Sequence, residues 1–216
     1  MNIINPATEE IIREVSEDTK ETLDLKSERL KKAQPSWYAS GLENRIEIIR
    51  RFDKLLEKDI ERLAGILTSE VGKPLQQARN EVNGARNRIQ WLAGHAGEYL
   101  SDEIISSSPG LTEKISYEPL GVIGNISAWN YPYLVGTNVF IPALLAGNAV
   151  MYKPSEYSTL TGLEIERLLI QSGVPFRYFF NCGRSEGGWR GNAGSCRWMD
   201  ISSQVRIRPA GTFMKK

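Results

Sequence analysis

Gly121-Val-Ile-Gly-Asn-Ile126, the apolar run from Leu134 to Leu145, and Ala149-Val-Met-Tyr152 decide the fold class. The two short segments read as buried strands and the longer run between them as a buried helix. Pro142 lies in that run as a point of interruption, and Gly147-Asn148 supplies a helix stop. Leu160, Leu163, Ile165 and Leu169 then suggest a second helix, ending at Gly173. Strand, helix, strand, helix is the order of parallel βαβ units, so the expected class is α/β.

Working back toward the N-terminus, Ala78, Val82, Ala85, Ile89, Leu92, Ala96 and Tyr99 form one helical stripe. His95 lies on that helix without a Cys, Asp or His cluster beside it, so it reads as a surface or boundary residue. Gly72-Lys73-Pro74 separates this helix from a strongly amphipathic one. There Ile48, Ile49, Phe52, Leu55, Leu56, Ile60, Leu63 and Leu67 recur at intervals of three and four, with Arg50, Arg51, Lys54, Glu57 and Lys58 opposite. Residues 16–34 read as a further helix stopped at Pro35, with Trp37 packing beyond it. Asn5 to Glu10 reads as a turn before a short strand at Ile11, Ile12 and Val15. Ser106 to Gly110 reads as a loop, and Lys114 to Tyr117 as a strand.

Of 216 residues, 41% are hydrophobic and 25% charged, an ordinary soluble composition. No apolar run approaches the roughly 18 residues of a membrane span, and the N-terminus does not read as a secretion signal. The expected location is cytoplasmic, with no membrane partner, and Asn125-Ile126-Ser127 is then a glycosylation sequon by coincidence. The net charge of +1 conceals an asymmetry. Residues 176–216 hold eight Lys or Arg against two Asp or Glu, both cysteines, six glycines and no leucine. Composition therefore changes sharply near Pro175.

Two stretches are more specific than any periodicity: Pro119-Leu-Gly-Val-Ile-Gly-Asn-Ile-Ser-Ala-Trp-Asn-Tyr-Pro132 and Ile141-Pro-Ala-Leu-Leu-Ala-Gly-Asn-Ala-Val-Met-Tyr-Lys-Pro-Ser-Glu156. Together they closely resemble the aldehyde dehydrogenase superfamily. Asn5-Pro6-Ala7-Thr8 and Glu70-Val-Gly-Lys-Pro74 fit the same family in order and distance. The resemblance implies an incomplete Rossmann-like NAD-binding domain over residues 1–175, with an oligomerisation strand segment near 106–119. Residues 176–216 lie outside the resemblance, and their altered composition leads to the expectation of an irregular, poorly ordered tail.

The resemblance also implies roles. Asn130 matches the asparagine whose side-chain amide helps form the oxyanion hole, where a neutral donor stabilises the oxygen that becomes negative as a thiolate attacks an aldehyde. Ile126, Ser127, Ala128 and Trp129 match the strand end beside the cofactor, as expected where ligands sit at the carboxyl ends of parallel strands. Lys153 and Glu156 match the pair that holds the adenosine ribose, with Ser155 between them. A carboxylate accepts from ribose hydroxyls and repels a 2′-phosphate, which favours NAD, with NADP as the alternative. The plainer reading of Lys-Pro-Ser-Glu is a helix start capped by Ser155 or Ser158, and both readings can hold together. The implied partners are an aldehyde substrate and, in the intact family, further copies of the same subunit.

The family's cysteine nucleophile and its water-activating glutamate belong well beyond residue 175, where the likeness stops. Cys196 lies in Gly194-Ser-Cys-Arg-Trp198, which does not match the family's cysteine motif and comes far too early. Gly188, Gly191 and Gly194 lack the strand and helix a phosphate loop requires. Six scattered arginines make a weak case for nucleic acid, and none is expected as a partner. A frameshift fits better. Ser202-Ser203-Gln204-Val205-Arg206 can be encoded by TCT TCA CAG GTT CGT, which read two bases later gives the family's Phe-Thr-Gly-Ser. The expectation is a fragment of an NAD-dependent aldehyde dehydrogenase, inactive alone, or a non-catalytic chain that associates with full-length subunits.

Overall fold

The computed structural model describes residues 1–175 and the strand Phe179–Asn181. Cys182, Cys196, the glycines at 188, 191 and 194, and the frame-shifted reading of 202–206 lie outside the described residues.

The chain opens with an antiparallel ribbon of β1 (Asn2–Ile4) and β2 (Ile11–Glu14). Its turn is closed by Asn5, whose side-chain oxygen accepts from the Ala7 amide at 2.9 Å. Helix α1 (Lys20–Ala39) starts where the Thr19 hydroxyl accepts from the Thr22 amide. It runs through Pro35 instead of stopping there. Pro35 and Lys31, whose carbonyl loses its usual donor, are both exposed, so water can satisfy that group. The buried stripe of Leu23, Ser27, Leu30, Ala33 and Trp37 continues past the proline, and the Trp37 indole donates to the Leu144 carbonyl at 2.9 Å.

The long amphipathic segment is two helices, α2 (Leu42–Lys58) and α3 (Ile60–Val71). The break is at Asp59, whose carboxylate takes Arg62 at 2.9 Å and Arg167 at 2.8 Å. The apolar spacing from Leu56 through Ile60 and Leu63 crosses the break unchanged, so periodicity alone does not reveal it. Gly72 ends α3 in the left-handed conformation, and α4 (Leu75–Tyr99) follows. Residues 106–110 are not a loop. They belong to a hairpin of β3 (Glu103–Ser108) and β4 (Leu111–Ile115), turning at Pro109-Gly110. Ile104, Ile105, Leu111 and Ile115 are exposed on it.

β5 (Val122–Ile126), β6 (Ala149–Lys153) and β7 (Phe179–Asn181) form a parallel sheet in that order. α5 (Pro132–Leu145) connects β5 to β6, and α6 (Thr159–Ser172) precedes β7. Helix α5 continues through Pro142, which sits in its last turn and frees only the carbonyl of exposed Asn138. Side chains of β6 alternate between two apolar layers. Ala149 and Met151 meet Leu23 and Leu30 of α1. Val150 and Tyr152 join the larger core of Phe140, Leu144, Ile165 and Leu168, backed by Phe52, Leu63 and Val82 of the α2–α4 bundle. Among the described residues no helix is long and apolar enough to cross a membrane.

Gly147 links α5 to β6 with φ +87°, and an added Cβ would lie 2.7 Å from a Tyr38 ring carbon. Gly147→Ala is expected to destabilise the chain by at least ~1–2 kcal/mol from the left-handed backbone alone. The check is a urea midpoint that falls without a change in slope.

Candidate functional site

The functional positions expected from sequence lie at the C-terminal edge of the parallel sheet. Ile126 pairs in register with Lys153 at the ends of β5 and β6, and the Ser127 amide donates to the Lys153 carbonyl at 3.0 Å. This places the two strand-to-helix connections side by side. Ser127 is buried beside Tyr152, and burial raises the Tyr152 phenol well above its ordinary pKa while the Ser127 hydroxyl opposes the rise. Ile126, Ala128 and Trp129 are exposed along the edge. Trp129 meets Tyr157 edge to face at 6.4 Å, so an aromatic pair bridges the two connections.

In the second connection the Lys153 ammonium donates to the Pro154 carbonyl at 3.1 Å and lies 3.9 Å from the Glu156 carboxylate. The Ser155 hydroxyl accepts from the Tyr157 amide at 3.3 Å and donates to Glu156 at 3.4 Å. Ser155 therefore caps the short 3-10 turn Glu156–Ser158, as the plainer reading expects. Ser158 makes no side-chain cap on α6. An ammonium, a hydroxyl and a carboxylate thus gather within four residues, a donor and acceptor set suited to a vicinal diol.

Neither α5 nor α6 is capped by its own N-terminal side chain. Buried glutamates from other helices take that place. Glu81 on α4 accepts from the Tyr133 amide at 2.9 Å and pairs with the Lys73 ammonium. Glu70 on α3 accepts from the Leu160 amide at 2.8 Å, the Thr161 amide at 2.7 Å and the Thr161 hydroxyl. At the far ends are arginines of α2. Arg45 donates to the Leu145 carbonyl at 2.9 Å at the close of α5, and Arg51 to the Ser172 carbonyl at 2.8 Å at the close of α6. Arg51, expected on the solvent face, is half exposed yet reaches this carbonyl. Each sign complements the partial charge of the helix end it meets.

Lys73 extends the same network to Asn130. Its ammonium donates to the Asn130 carbonyl at 2.6 Å and lies 4.0 Å from the centre of the Tyr131 ring. The Asn130 backbone is thereby fixed from the end of α3, while the residue itself is exposed. Sequence alone gives Glu70 and Lys73 a place in a motif but no role, and gives Glu81 neither. One signal was available, because Glu70 continues the Leu63–Leu67 stripe and Glu81 adjoins Val82 on the stripe of α4. A carboxylate on an apolar stripe requires a partner. His95 packs between Trp91 and Tyr99 and bonds to the Trp91 carbonyl, apart from the residues at the sheet edge.

The aldehyde dehydrogenase family matches residues 1–182, and the chain belongs to that family. It is 36% identical over 177 residues to betaine aldehyde dehydrogenase from Bacillus subtilis, covering 81% of this chain and 36% of that protein. A betaine aldehyde dehydrogenase point mutant from Staphylococcus aureus, solved in complex with NAD+, superposes with a TM-score of 0.79 at 31% identity. That match covers 84% of this chain and 37% of the other. Glyceraldehyde-3-phosphate dehydrogenase from Methanocaldococcus jannaschii, complexed with NADP, gives a TM-score of 0.80 at 25% identity, covering 87% and 41%. The chain thus spans little more than a third of the length of the curated relative.

Burial pushes the Glu70 carboxyl up to about 7, against the opposing bonds from Thr161 and Leu160. From its ordinary value to about pH 7, the folded chain therefore holds a proton that the unfolded chain has lost. Stability from this group is full at low pH and falls as pH rises through that window. The span corresponds to roughly 3 kcal/mol. Urea denaturation of wild type and Glu70→Gln between pH 5 and 8 is expected to show a stability difference that changes in this direction and levels off above pH 7. A difference constant with pH would contradict the assignment.

Proposed function

We propose that this chain carries the ribose-binding and oxyanion-side elements of an NAD-dependent aldehyde dehydrogenase, the enzyme class that oxidises an aldehyde to a carboxylic acid. The observation that carries this reading is the adjacency of Lys153, Ser155 and Glu156 to the end of β5, on the same sheet edge as the connection bearing Asn130. Lys153 donates to ribose oxygen, and Glu156 accepts from the ribose hydroxyls. The negative Glu156 disfavours a 2′-phosphate, which supports NAD over NADP. Ile126, Ser127, Ala128 and Trp129 form the wall beside the cofactor. A nicotinamide dinucleotide held there supplies the hydride acceptor.

Asn130 contributes the side-chain amide that hydrogen-bonds the aldehyde oxygen as negative charge develops on it. Such a donor is worth a few kcal/mol when it is held in place before reaction. Lys73 provides that hold through the Asn130 carbonyl. The thiol that attacks the aldehyde and the carboxylate that activates water match no residue of 1–175. The chain alone is therefore inactive, and a frame change near Pro175 accounts for the altered composition beyond it. The family's homo-oligomers and a cytoplasmic location follow from the same reading.

A second role, association with full-length subunits, is favoured by the exposed β3–β4 hairpin, which presents Ile104, Ile105, Leu111 and Ile115. Co-purification with an intact paralogue is its signature.

Calorimetric titration of the chain with NAD and with NADP tests the main reading. NAD is expected to bind more tightly, and Glu156→Gln is expected to narrow the preference. Lys153→Ala should weaken NAD about tenfold, the worth of one charge-assisted hydrogen bond. The unmodified chain should show no NADH formation with an aldehyde. Absence of saturable binding by either nucleotide would remove the ribose assignment. Sequencing the coding DNA from codon 165 onward tests the frame, since another frame should continue through Phe-Thr-Gly-Ser.

A further inference from the structure

Glu70 is nearly fully buried, and it sits on a helix distant in sequence from the residues it binds. Three donors converge on its two oxygens. The Leu160 amide reaches Oε2, while the Thr161 amide and hydroxyl share Oε1. These donors belong to the first turn of α6, directly after the 3-10 turn Glu156–Ser158. Local hydrogen bonds link the two turns. The Thr159 hydroxyl donates to the Ser155 carbonyl at 3.3 Å, and the Ser158 amide donates to the same carbonyl at 3.0 Å. Helix α3 also packs directly against the 3-10 turn. Glu70 is therefore bonded to the C-terminal end of a continuously hydrogen-bonded segment from Ser155 to Thr161.

We propose that Glu70 is a positioning residue for the ribose-binding turn, and that its charge state sets the placement of Ser155 and Glu156. The link to ribose rests on the function proposed above, whereas the coupling of Glu70 to the turn does not. With the carboxylate ionised, all three donors point at it and the first turn of α6 is drawn toward α3. When Oε1 takes a proton, that oxygen becomes a donor. The Thr161 hydroxyl must then rotate to accept from it, and the Thr161 amide loses part of its acceptor. The consequence is a shift of the first turn of α6, carried through Thr159 and Ser158 to Ser155.

Burial holds the Glu70 carboxyl at about 7, so this group changes charge near neutrality. Burial also raises the Glu81 carboxyl on α4, against the opposing Lys73 ammonium and Tyr133 amide, and the Glu70→Gln variant separates its titration from that of Glu70. Tyr133 on α5 and Tyr152 on β6 are buried phenols raised well above their ordinary range, so they stay protonated. Glu164 on α6 is held low by Arg62 and Arg167. Arg62 of α3 stays charged against Glu164 and Asp59. Where α2 meets α3, Asp59 is likewise held low by Arg62 and Arg167. Glu156 of the 3-10 turn is half exposed and faces Lys153.

The test is an amide ¹H–¹⁵N titration of the full chain from pH 5.5 to 8.5, with Glu70→Gln and Thr161→Val beside the wild type. In the wild type the amides of Ser155, Tyr157, Leu160 and Thr161 are expected to shift together, with one midpoint near neutral pH. In Glu70→Gln that titration should vanish, and hydrogen exchange at Leu160 and Thr161 should speed up at least tenfold. Thr161→Val keeps the carboxylate and should retain the titration with a displaced midpoint, which separates charge from lost packing. The proposal is overturned if Glu70→Gln shows the same titration. It is equally overturned if Leu160 and Thr161 titrate while Ser155 and Tyr157 stay fixed, because Glu70 is then only a helix cap. Added NAD reads the other assignment independently. If NAD leaves the 153–157 amides unmoved at every pH, the ribose reading fails, and the titration still decides the role of Glu70.

Discussion

Charges from one helical bundle hold both ends of the two helices that lie on the sheet. Glu81 and Arg45 bracket α5, and Glu70 and Arg51 bracket α6. A buried charge is costly unless well partnered, and helix ends supply unmet amides and carbonyls of the matching sign. The arrangement resolves two problems at once. The helix ends gain partners that their own sequences do not provide, and the charges gain hydrogen bonds without facing one another. The sheet edge inherits its shape from this, because each strand-to-helix connection ends at a helix start pinned from α3 or α4.

The α2–α4 bundle is therefore more than a cover over the apolar layer. Packing through Phe52, Leu63 and Val82 sets how close the bundle approaches the sheet. The polar bonds set how each helix is aligned along its axis. Lys73 adds a third point of control, since it links Glu81 to the carbonyl of Asn130 across the start of α5. A displacement of α4 relative to the sheet would be felt at Asn130 and at the first turn of α5 together.

The parallel βαβ order and the apolar stripes of α2–α4 were legible in sequence, because period and motif record burial and local turn chemistry directly; the positions expected to form a site do fall on two adjacent connections at one sheet edge. The errors have a common origin. Pro35 reads as a stop, yet the Lys31 carbonyl that it deprives of a donor belongs to an exposed residue while the stripe through Trp37 is buried. The Asp59 break was invisible because the apolar spacing crosses it. Ser106–Ser108 read as loop because serine carries weak strand preference, whereas the hairpin pairing supplies the missing drive. The helix-end pairs were hidden for a different reason. Glu70 and Leu160 are ninety residues apart, and only the three-dimensional fold makes them neighbours.

The filled helix starts also determine what kind of ligand group this edge cannot take. Amides at a helix N-terminus are a common seat for phosphate. In α5 and α6 the amides of Tyr133, Leu160 and Thr161 are already turned toward carboxylates. A phosphate brought there would meet occupied donors and a like charge. On the function proposed above, a dinucleotide engaging Lys153 and Glu156 would seat its diphosphate away from these two helix starts, and anion binding would fall to other residues.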